Sequence, residues 1–494
     1  MAQNKLNKLE AQLVPRIQIE NVSMASPSPQ KLNKLLEYYQ NGRFSDTEKL
    51  SLEITQDFPK HQFAWKVLAA VLGATGRHSE AVNANRTAVA LSPQDAEAHS
   101  NLGITLQELG RLEESEASCK QAIALKPDYP EAHSNLGSAL QELGRLDEAE
   151  ASYTQAIALN PDYAEAYSNL GNTLRELGRL DEAEANCNQA IALKHDFAEA
   201  HNNLGVTLQE LGRLDEAETS YKQALAINPQ DAEAHSNLGD TLKELGRLGE
   251  AVASYTQAIA LNPDLPEANH MLAALTGETT ATAPRDFVEG LFDNYAAKFE
   301  ISLVDDLKYK FPKLITEIII KENKSDLLGS IIDLGCGTGL LGVEINQFCE
   351  YLEGIDLSEK MLVESKKKNI YDKLIKQDIL DYLENASLNF DYFISTDVFT
   401  YIGDLSDTFR LIKSRNKTGG KLAFSTEDYD GDGYFLEQSG RYSHSKKYIG
   451  RLCEEFDFKL CHFETQNLRK DKNQYIRGGL YLLDFLKLGY FKYD

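Results

Sequence analysis

At 494 residues, with a formal net charge of −25 and 26% charged side chains, the chain has the composition of a globular protein with room for two or more cores. Its acidity disfavours a nucleic-acid surface, where basic contacts to phosphate dominate, and no uncharged apolar run reaches the roughly 18 residues of a membrane span. The six cysteines are scattered without a C-x-x-C pair or metal-ligand spacing, which predicts no metal and fits a reducing compartment. Residues 1–20 mix charges with single apolar side chains and do not read as a signal peptide, so the expected location is cytoplasmic.

Residues 1–27 are read as a flexible N-terminal segment. From residue 28 to 265 the chain repeats every 34 residues: Asn-Leu-Gly recurs at Asn101, Asn135, Asn169, Asn203 and Asn237, and Gly-Arg-Leu at Gly110, Gly144, Gly178, Gly212 and Gly246. Each of the seven units reads as two helices. In 96–129, His99, Leu102, Gly103 and Leu106 make one apolar stripe, Gly110 ends that helix, and Ser115, Cys119 and Ala122 make the second. Such units bury their faces only by stacking, and Pro266 to Leu275 reads as the closing helix of an all-α solenoid over 28–276.

The pattern closely resembles the tetratricopeptide repeat (TPR), with Trp65, His99, His133, Tyr167, His201 and His235 at the aromatic-type position, where packing is the expected role. The Asn ladder lies off the apolar stripe, where TPR families line a concave groove, and resembles that of the TPR arm of protein O-linked glycosaminyltransferases. The resemblance implies a site for an extended peptide, since an amide both donates and accepts; a solvated Asn copied from repeat to repeat is the alternative. Residues 96–265 hold 29 acidic and 11 basic side chains, so a peptide there is expected to be basic or neutral.

Gly277 to Pro284 is small and polar and reads as a linker to a domain over 285–494. That domain is organised around Ile331-Ile332-Asp333-Leu334-Gly335-Cys336-Gly337-Thr338-Gly339-Leu340-Leu341-Gly342, an apolar strand running into a loop of alternating glycines that lets the backbone approach a ligand. Gly337 to Gly342 also fits G-x-G-x-x-G, with Asp356 19 residues after Gly337, so a dinucleotide site has to be weighed. Two features argue against it: Asp333 still lies in the strand, and the loop begins at Gly335.

Asp333-x-Gly335-x-Gly337-x-Gly339 resembles the cofactor loop of class I S-adenosylmethionine (SAM) methyltransferases, with the resemblance extending over about 285–487. It implies a Rossmann-like α/β domain, a mostly parallel seven-stranded sheet ending in an antiparallel hairpin, with SAM as cofactor. In that family the acid and loop (here Asp333, Gly335, Cys336, Gly337 and Gly339) hold the methionine portion, Asp356 accepts the ribose hydroxyls, Leu357, Ser358 and Met361 line the adenine, and Asp378 with the Ile379 N–H meets the adenine edge. Residues 285–299 resemble the helices that lie over the cofactor in small-molecule methyltransferases, with Tyr295 the candidate lid contact.

Strands are read at 331–334, 352–355, 374–379, 390–395 and 419–426, with a final pair near 458–468 and 479–485. The first and fourth flank the switch point of a doubly wound sheet, which makes Asp397 and Tyr401 catalytic candidates. Asp397 to Leu405 together with Gln438 to Ser445 resembles the bacterial predicted methyltransferases that carry TPR arms. From this second stretch, Arg441 and Tyr442 are the substrate-binding candidates and His444 a candidate general base, against an ordinary loop histidine. The expected function is a SAM-dependent methyltransferase whose TPR arm recruits a protein partner or substrate, with the methyl acceptor open. The alternatives are a TPR scaffold with a non-catalytic SAM-binding domain, and a small-molecule methyltransferase docked to a partner by its arm.

Overall fold

Each 34-residue unit folds as two helices joined by a tight turn, as at Ala96–Glu108 and Leu112–Leu125. The turn glycine takes a left-handed conformation, φ +73° at Gly110 and +72° at Gly144, which an L side chain occupies only at a cost. The second glycine, present in the five units from Gly103 to Gly239, answers to space instead. A Cβ on Gly137 would stand 2.8 Å from the Tyr153 ring, on Gly171 2.7 Å from Cys187 Sγ, and on Gly205 2.6 Å from the Tyr221 ring. The missing side chain lets the first helix of a pair seat an aromatic ring or a sulfur of the second, and these rings and sulfurs are buried.

The computed structural model describes residues 26–296, 299, 309–323, 327–385, 389–415, 419–471 and 474–486, and the chain forms two compact units, 1–229 and 230–494. The expected N-terminal segment lies outside the described residues up to position 25. Among the described residues the first unit contains twelve helices, from Pro29–Gln40 to Leu214–Ile227. Among the described residues no helix is long and apolar enough to cross a membrane.

Two features of the repeat emerge only in three dimensions. The arginine of Gly-Arg-Leu reaches back one repeat: Arg145 lies 2.8 Å from Glu116, Arg179 2.7 Å from Glu150 and Arg213 2.7 Å from Glu184. These exposed pairs are each worth only about 0–1 kcal/mol, so they favour register more than stability. His99 is only partly buried and leaves the apolar stripe; its Nε2 lies 3.0 Å from the Pro93 carbonyl, as His133 Nε2 lies 3.1 Å from Pro127 O and Trp65 Nε1 donates to Pro59 O at 2.9 Å. The aromatic-type position therefore ties down the turn six residues earlier.

The second unit holds a seventh helix pair, Ala232–Glu244 and Leu248–Leu261, the closing helix Pro266–Thr276, and the α/β domain. Among the described residues nine strands run β1 (Ser330–Leu334), β2 (Tyr351–Asp356), β3 (Lys373–Lys376), β4 (Tyr392–Ser395), β5 (Lys421–Asp428), β6 (Tyr434–Leu436), β7 (Tyr442–His444), β8 (Phe458–Asp471) and β9 (Gln474–Phe485). The first five are parallel in the order β3-β2-β1-β4-β5; β9 pairs antiparallel with β5, and β8 with β9. Two short strands were not expected: β6 and β7 form a hairpin whose β7 extends the C-terminal end of β5, pairing Glu427 with Ser443. The third strand is also shorter than expected, because it stops at Lys376 and a helix begins at Ile379.

The stretch 277–284 is bonded to the α/β domain. Ala281 O accepts from Gly403 N and Asp404 N at 2.9 and 2.8 Å, and Ala283 N donates to Tyr401 O at 3.0 Å. The closing helix is tied to the same region, with His270 Nε2 2.8 Å from Gly440 O.

The packing predicts two different costs. Gly137→Ala overpacks Tyr153 and is expected to lower stability by about 1–3 kcal/mol; Gly144→Ala, with nothing near its Cβ, costs about 1–2 kcal/mol through φ alone. Urea midpoints check both, and adding Tyr153→Ala is expected to relieve the first variant but not the second.

Candidate active site

A cavity of about 500 Å³ lies in the α/β domain where the strand order reverses between β1 and β4. The loop after β1 forms its floor, and Gly335, Gly337 and Gly339 all have positive φ, +80°, +53° and +89°. Several of the loop amides are spent within the protein: Gly335 N and Cys336 N donate to Ile355 O, both at 2.9 Å, and Gly339 N to Cys336 O at 2.8 Å. What the glycines provide is clearance. A Cβ on Gly335 would collide with Val398, whereas at Gly337 the nearest atom is Phe299 Cε1, 4.0 Å away.

Asp356, at the tip of β2, is the acid that faces this floor. Its Oδ2 accepts from Gly337 N at 2.8 Å and its Oδ1 from Ser358 N at 2.9 Å. Burial pushes its carboxyl up to about 6, against the opposing pull of those N–H groups. Cys336, Leu357, Asp378 and Ile379 also line the cavity. So does Thr338, which is 1% exposed and whose Oγ1 has no protein partner among the described residues.

Several sequence candidates stand elsewhere than expected. Asp333 is fully buried beneath the loop and does not line the cavity; Tyr371 donates to its Oδ2 at 2.7 Å, its Oδ1 has no partner among the described residues, and burial raises its carboxyl to about 7. Ser358 caps the helix Glu359–Lys368, accepting from Met361 N at 3.1 Å, and also donates to Asp293; neither Ser358 nor Met361 lines the cavity, and Met361 is core. Asp378 is a cap as well as a wall residue. Its Oδ1 takes Leu380 N at 2.9 Å, Asp381 N at 3.2 Å and Arg285 Nη2 at 3.0 Å, because the strand expected to carry it ends two residues earlier. The Tyr295 side chain lies outside the described residues.

On the β4 side, Asp397 adopts φ +59°, a left-handed conformation costing a non-glycine residue about 1–3 kcal/mol and typical of functional loops. Its N–H donates to Ser425 Oγ at 2.9 Å. Its Oδ1 accepts from Arg441 Nη2 at 2.7 Å, and Arg441 also reaches Thr400 Oγ1 at 2.9 Å and the Tyr401 hydroxyl at 3.0 Å. Arg441 Nε stands 2.9 Å from Glu427 Oε1, an ion-pair distance without hydrogen-bond alignment. Burial disfavours the guanidinium's charge, but Asp397, Tyr401 and Glu427 outweigh it and its pKa rises. Arg441, the substrate-binding candidate, lines the cavity with its charge already met by two carboxylates of its own domain.

Two corrections follow from burial. Tyr442 is fully buried with its hydroxyl against Thr280 Oγ1, away from the cavity. His444 is fully buried too, its Nε2 2.9 and 3.0 Å from the carbonyls of Ile402 and Gly403, so that nitrogen carries the proton; desolvation drops the ring to about 4. A neutral imidazole facing two carbonyls has no path to a substrate and is not a general base here. In the repeats, Asn135 and Asn203 donate to Ser100 and Ser168 of the preceding repeat at 2.9 and 3.1 Å, Asn101 is buried with its Oδ1 lacking a partner among the described residues, and Asn169 and Asn237 are partly buried.

The parallel sheet, the glycine floor and the acid at the β2 tip define the class I methyltransferase type of α/β domain. The methyltransferase-domain profile matches residues 326–477, and tetratricopeptide-repeat profiles match 71–110, 106–144, 137–178, 162–230 and 196–264. The chain is thus a tetratricopeptide-repeat array fused to a methyltransferase domain. No curated protein matches it. Among solved structures, the APC/C hetero-tetramer Cut9-Hcn1 is similar at 18% identity and TM-score 0.44, covering 49% of this chain and 48% of that one, so this chain spans about half of that relative's length. A thermophilic TPR protein of Thermus thermophilus, TTC0263, is similar at 27% identity and TM-score 0.34 over 37% of this chain and 98% of its own. YrrB, a TPR protein with an unusual peptide-binding site, is similar at 24% identity and TM-score 0.31 over 38% of this chain and 97% of its own.

Two buried carboxyls with raised midpoints make a signed prediction. Folded values near 7 for Asp333 and 6 for Asp356 exceed the unfolded value of about 3.9, so both stabilise the fold as protonated groups at low pH, and that stability is lost as pH rises from about 4 to 6 for Asp356 and from about 4 to 7 for Asp333. Relative to wild type, Asp333→Asn is expected to flatten the fall in unfolding free energy between about pH 4 and 7 by about 1.4 kcal/mol per pH unit, read from urea titrations; an unchanged slope refutes it.

Proposed function

We propose that the cavity binds SAM and that the chain is a SAM-dependent methyltransferase whose TPR arm recruits a protein partner or substrate. The observation that carries this reading is Asp356 held by Gly337 N and Ser358 N beside an open glycine floor. A carboxylate so oriented retains lone pairs for two vicinal hydroxyls, and no Cβ at Gly337 stands between it and a ligand. The orphaned Thr338 hydroxyl and the acidic surroundings of Asp333 and Asp356 fit a polar, cationic nucleoside. When bound, SAM supplies a methyl group activated on a sulfonium.

The protein's own contributions would be holding and drying. Asp356 and the Ile379 N–H would orient the nucleoside, with Leu357 and Leu380 along its apolar face. Val398 and Phe292 narrow the acceptor side, Phe292 lying edge-on to Tyr401 at 5.3 Å, and exclude water there. Asp397 and Tyr401, cross-linked by Arg441, would set the orientation of the acceptor; in-line displacement gains most from such positioning. The aromatic cover from helix Arg285–Tyr295, with Phe287, Leu291 and Phe292 on the cavity, favours a second reading in which the acceptor is a small molecule and the arm docks a partner.

Calorimetric titration with SAM is expected to give saturable heat in the wild type, roughly 10–100-fold weaker binding in Asp356→Ala from the lost charged hydrogen bonds, and none in Gly337→Val. No heat in the wild type sinks the reading. Methyl-labelled SAM incubated with size-fractionated cell extract then separates the acceptors: label in macromolecules selects protein methylation, label confined to the small fraction the second reading.

A further inference from the structure

Gly342 and Gly354 belong to no ligand loop, and neither has positive φ: one lies in the helix Leu340–Ile345 and the other in β2. Conformational freedom is not their reason; space is. A Cβ on Gly342 would come 2.7 Å from Cε2, Cζ and the hydroxyl of Tyr371, one on Gly354 2.9 Å from its Cε1, and one on Gly339 of the floor loop 3.2 Å from its Cε2. The helix is thinned for this ring alone, the strand for it together with Cys336 Sγ and Leu374 Cδ2, each also 2.9 Å from the Gly354 Cβ, and the loop for it behind Ser365 Oγ at 2.9 Å.

That ring is anchored from the β2 side. The residue next to it, Asp372, exchanges bonds with Leu352, accepting its N–H on Oδ2 at 2.8 Å and donating its own N–H to Leu352 O at 2.9 Å. At its other end the Tyr371 hydroxyl donates to Asp333 Oδ2 at 2.7 Å. The titratable groups facing Asp333 are Tyr371, Asp356 and Cys336, none of them a cation, so this hydroxyl is what eases the charge of a carboxylate whose second oxygen has no partner among the described residues.

We propose that Tyr371 is a positioning residue of the cofactor site: its ring sets the height of the glycine floor against β2, and its hydroxyl favours the anionic form of Asp333 beneath a cationic ligand. This rests on the reading of the cavity as a SAM site. Removing the hydroxyl while keeping the ring leaves the packing intact but lets Asp333 take up a proton at higher pH, which weakens binding of a cation more than of a neutral analogue. Oversized substitution at Gly342 displaces the ring and lifts the floor for both.

The test titrates the full-length protein with SAM and with S-adenosylhomocysteine, which lacks the sulfonium charge, from about pH 6 to 9. Tyr371→Phe is expected to keep the wild-type unfolding midpoint, bind SAM about tenfold more weakly near pH 7, and move the pH of half-maximal SAM affinity up by about one unit, with a smaller effect on the neutral compound. Asp333→Asn is expected to remove the pH dependence and with it the difference between Tyr and Phe. Wild-type affinity and an unchanged pH profile in Tyr371→Phe, or a lowered unfolding midpoint without a moved profile, overturn the proposal while leaving the cofactor reading intact. A wild type that binds neither compound overturns the cofactor reading and Tyr371's part in it.

Discussion

The bond between Asp356 and the Gly337 amide ties the tip of β2 to the loop after β1, and the site is built on that crossing. Each partner makes the other workable. Gly337 turns its N–H toward the carboxylate only because its positive φ, +53°, is open to it, and the carboxylate survives burial only because it collects two N–H donors. The remaining cost shows in a carboxyl raised to about 6.

The opposite wall is held by a different force. Arg441, on the loop entering β7, draws Asp397, Tyr401, Thr400 and Glu427 onto one guanidinium, and so joins the loop after β4 to the end of β5. Its neighbour Gly440 receives His270 from the closing helix, and residues 281–283 bond along 401–404. The last helix of the repeat region and the stretch after it are therefore structural parts of the wall that carries Asp397 and Tyr401. This explains why residues 230–276 group with the α/β domain in one compact unit.

The arm follows a simpler rule. Gly in the first helix against Tyr or Cys in the second recurs from Gly103 to Gly239, and Arg145, Arg179 and Arg213 each reach to a glutamate of the repeat before, the same local problem solved again along the array. Nearest-neighbour contacts of this kind make stability close to a sum over units, so near-identical repeats carry no penalty for monotony. The Asn residues serve the same stitching where Asn135 and Asn203 reach back to Ser100 and Ser168.

Periodicity determined the helical repeats and the strand-loop-helix at Asp333 to Gly342, because both are local: a 34-residue period or an alternation of glycines states its own geometry. Asp356 was legible for the same reason, as an acid ending an apolar run. What only tertiary structure decided is which polar groups are already satisfied. His444, Arg441 and Tyr442 have the chemistry of a site in one dimension, yet carbonyls, carboxylates and a threonine hydroxyl from distant segments claim them. Tyr371 carried no motif at all, and its signal lay in two glycines placed where neither a turn nor a ligand needs them. Hydrogen-bond partners and packing space are long-range properties, and a residue's spacing along the chain does not contain them.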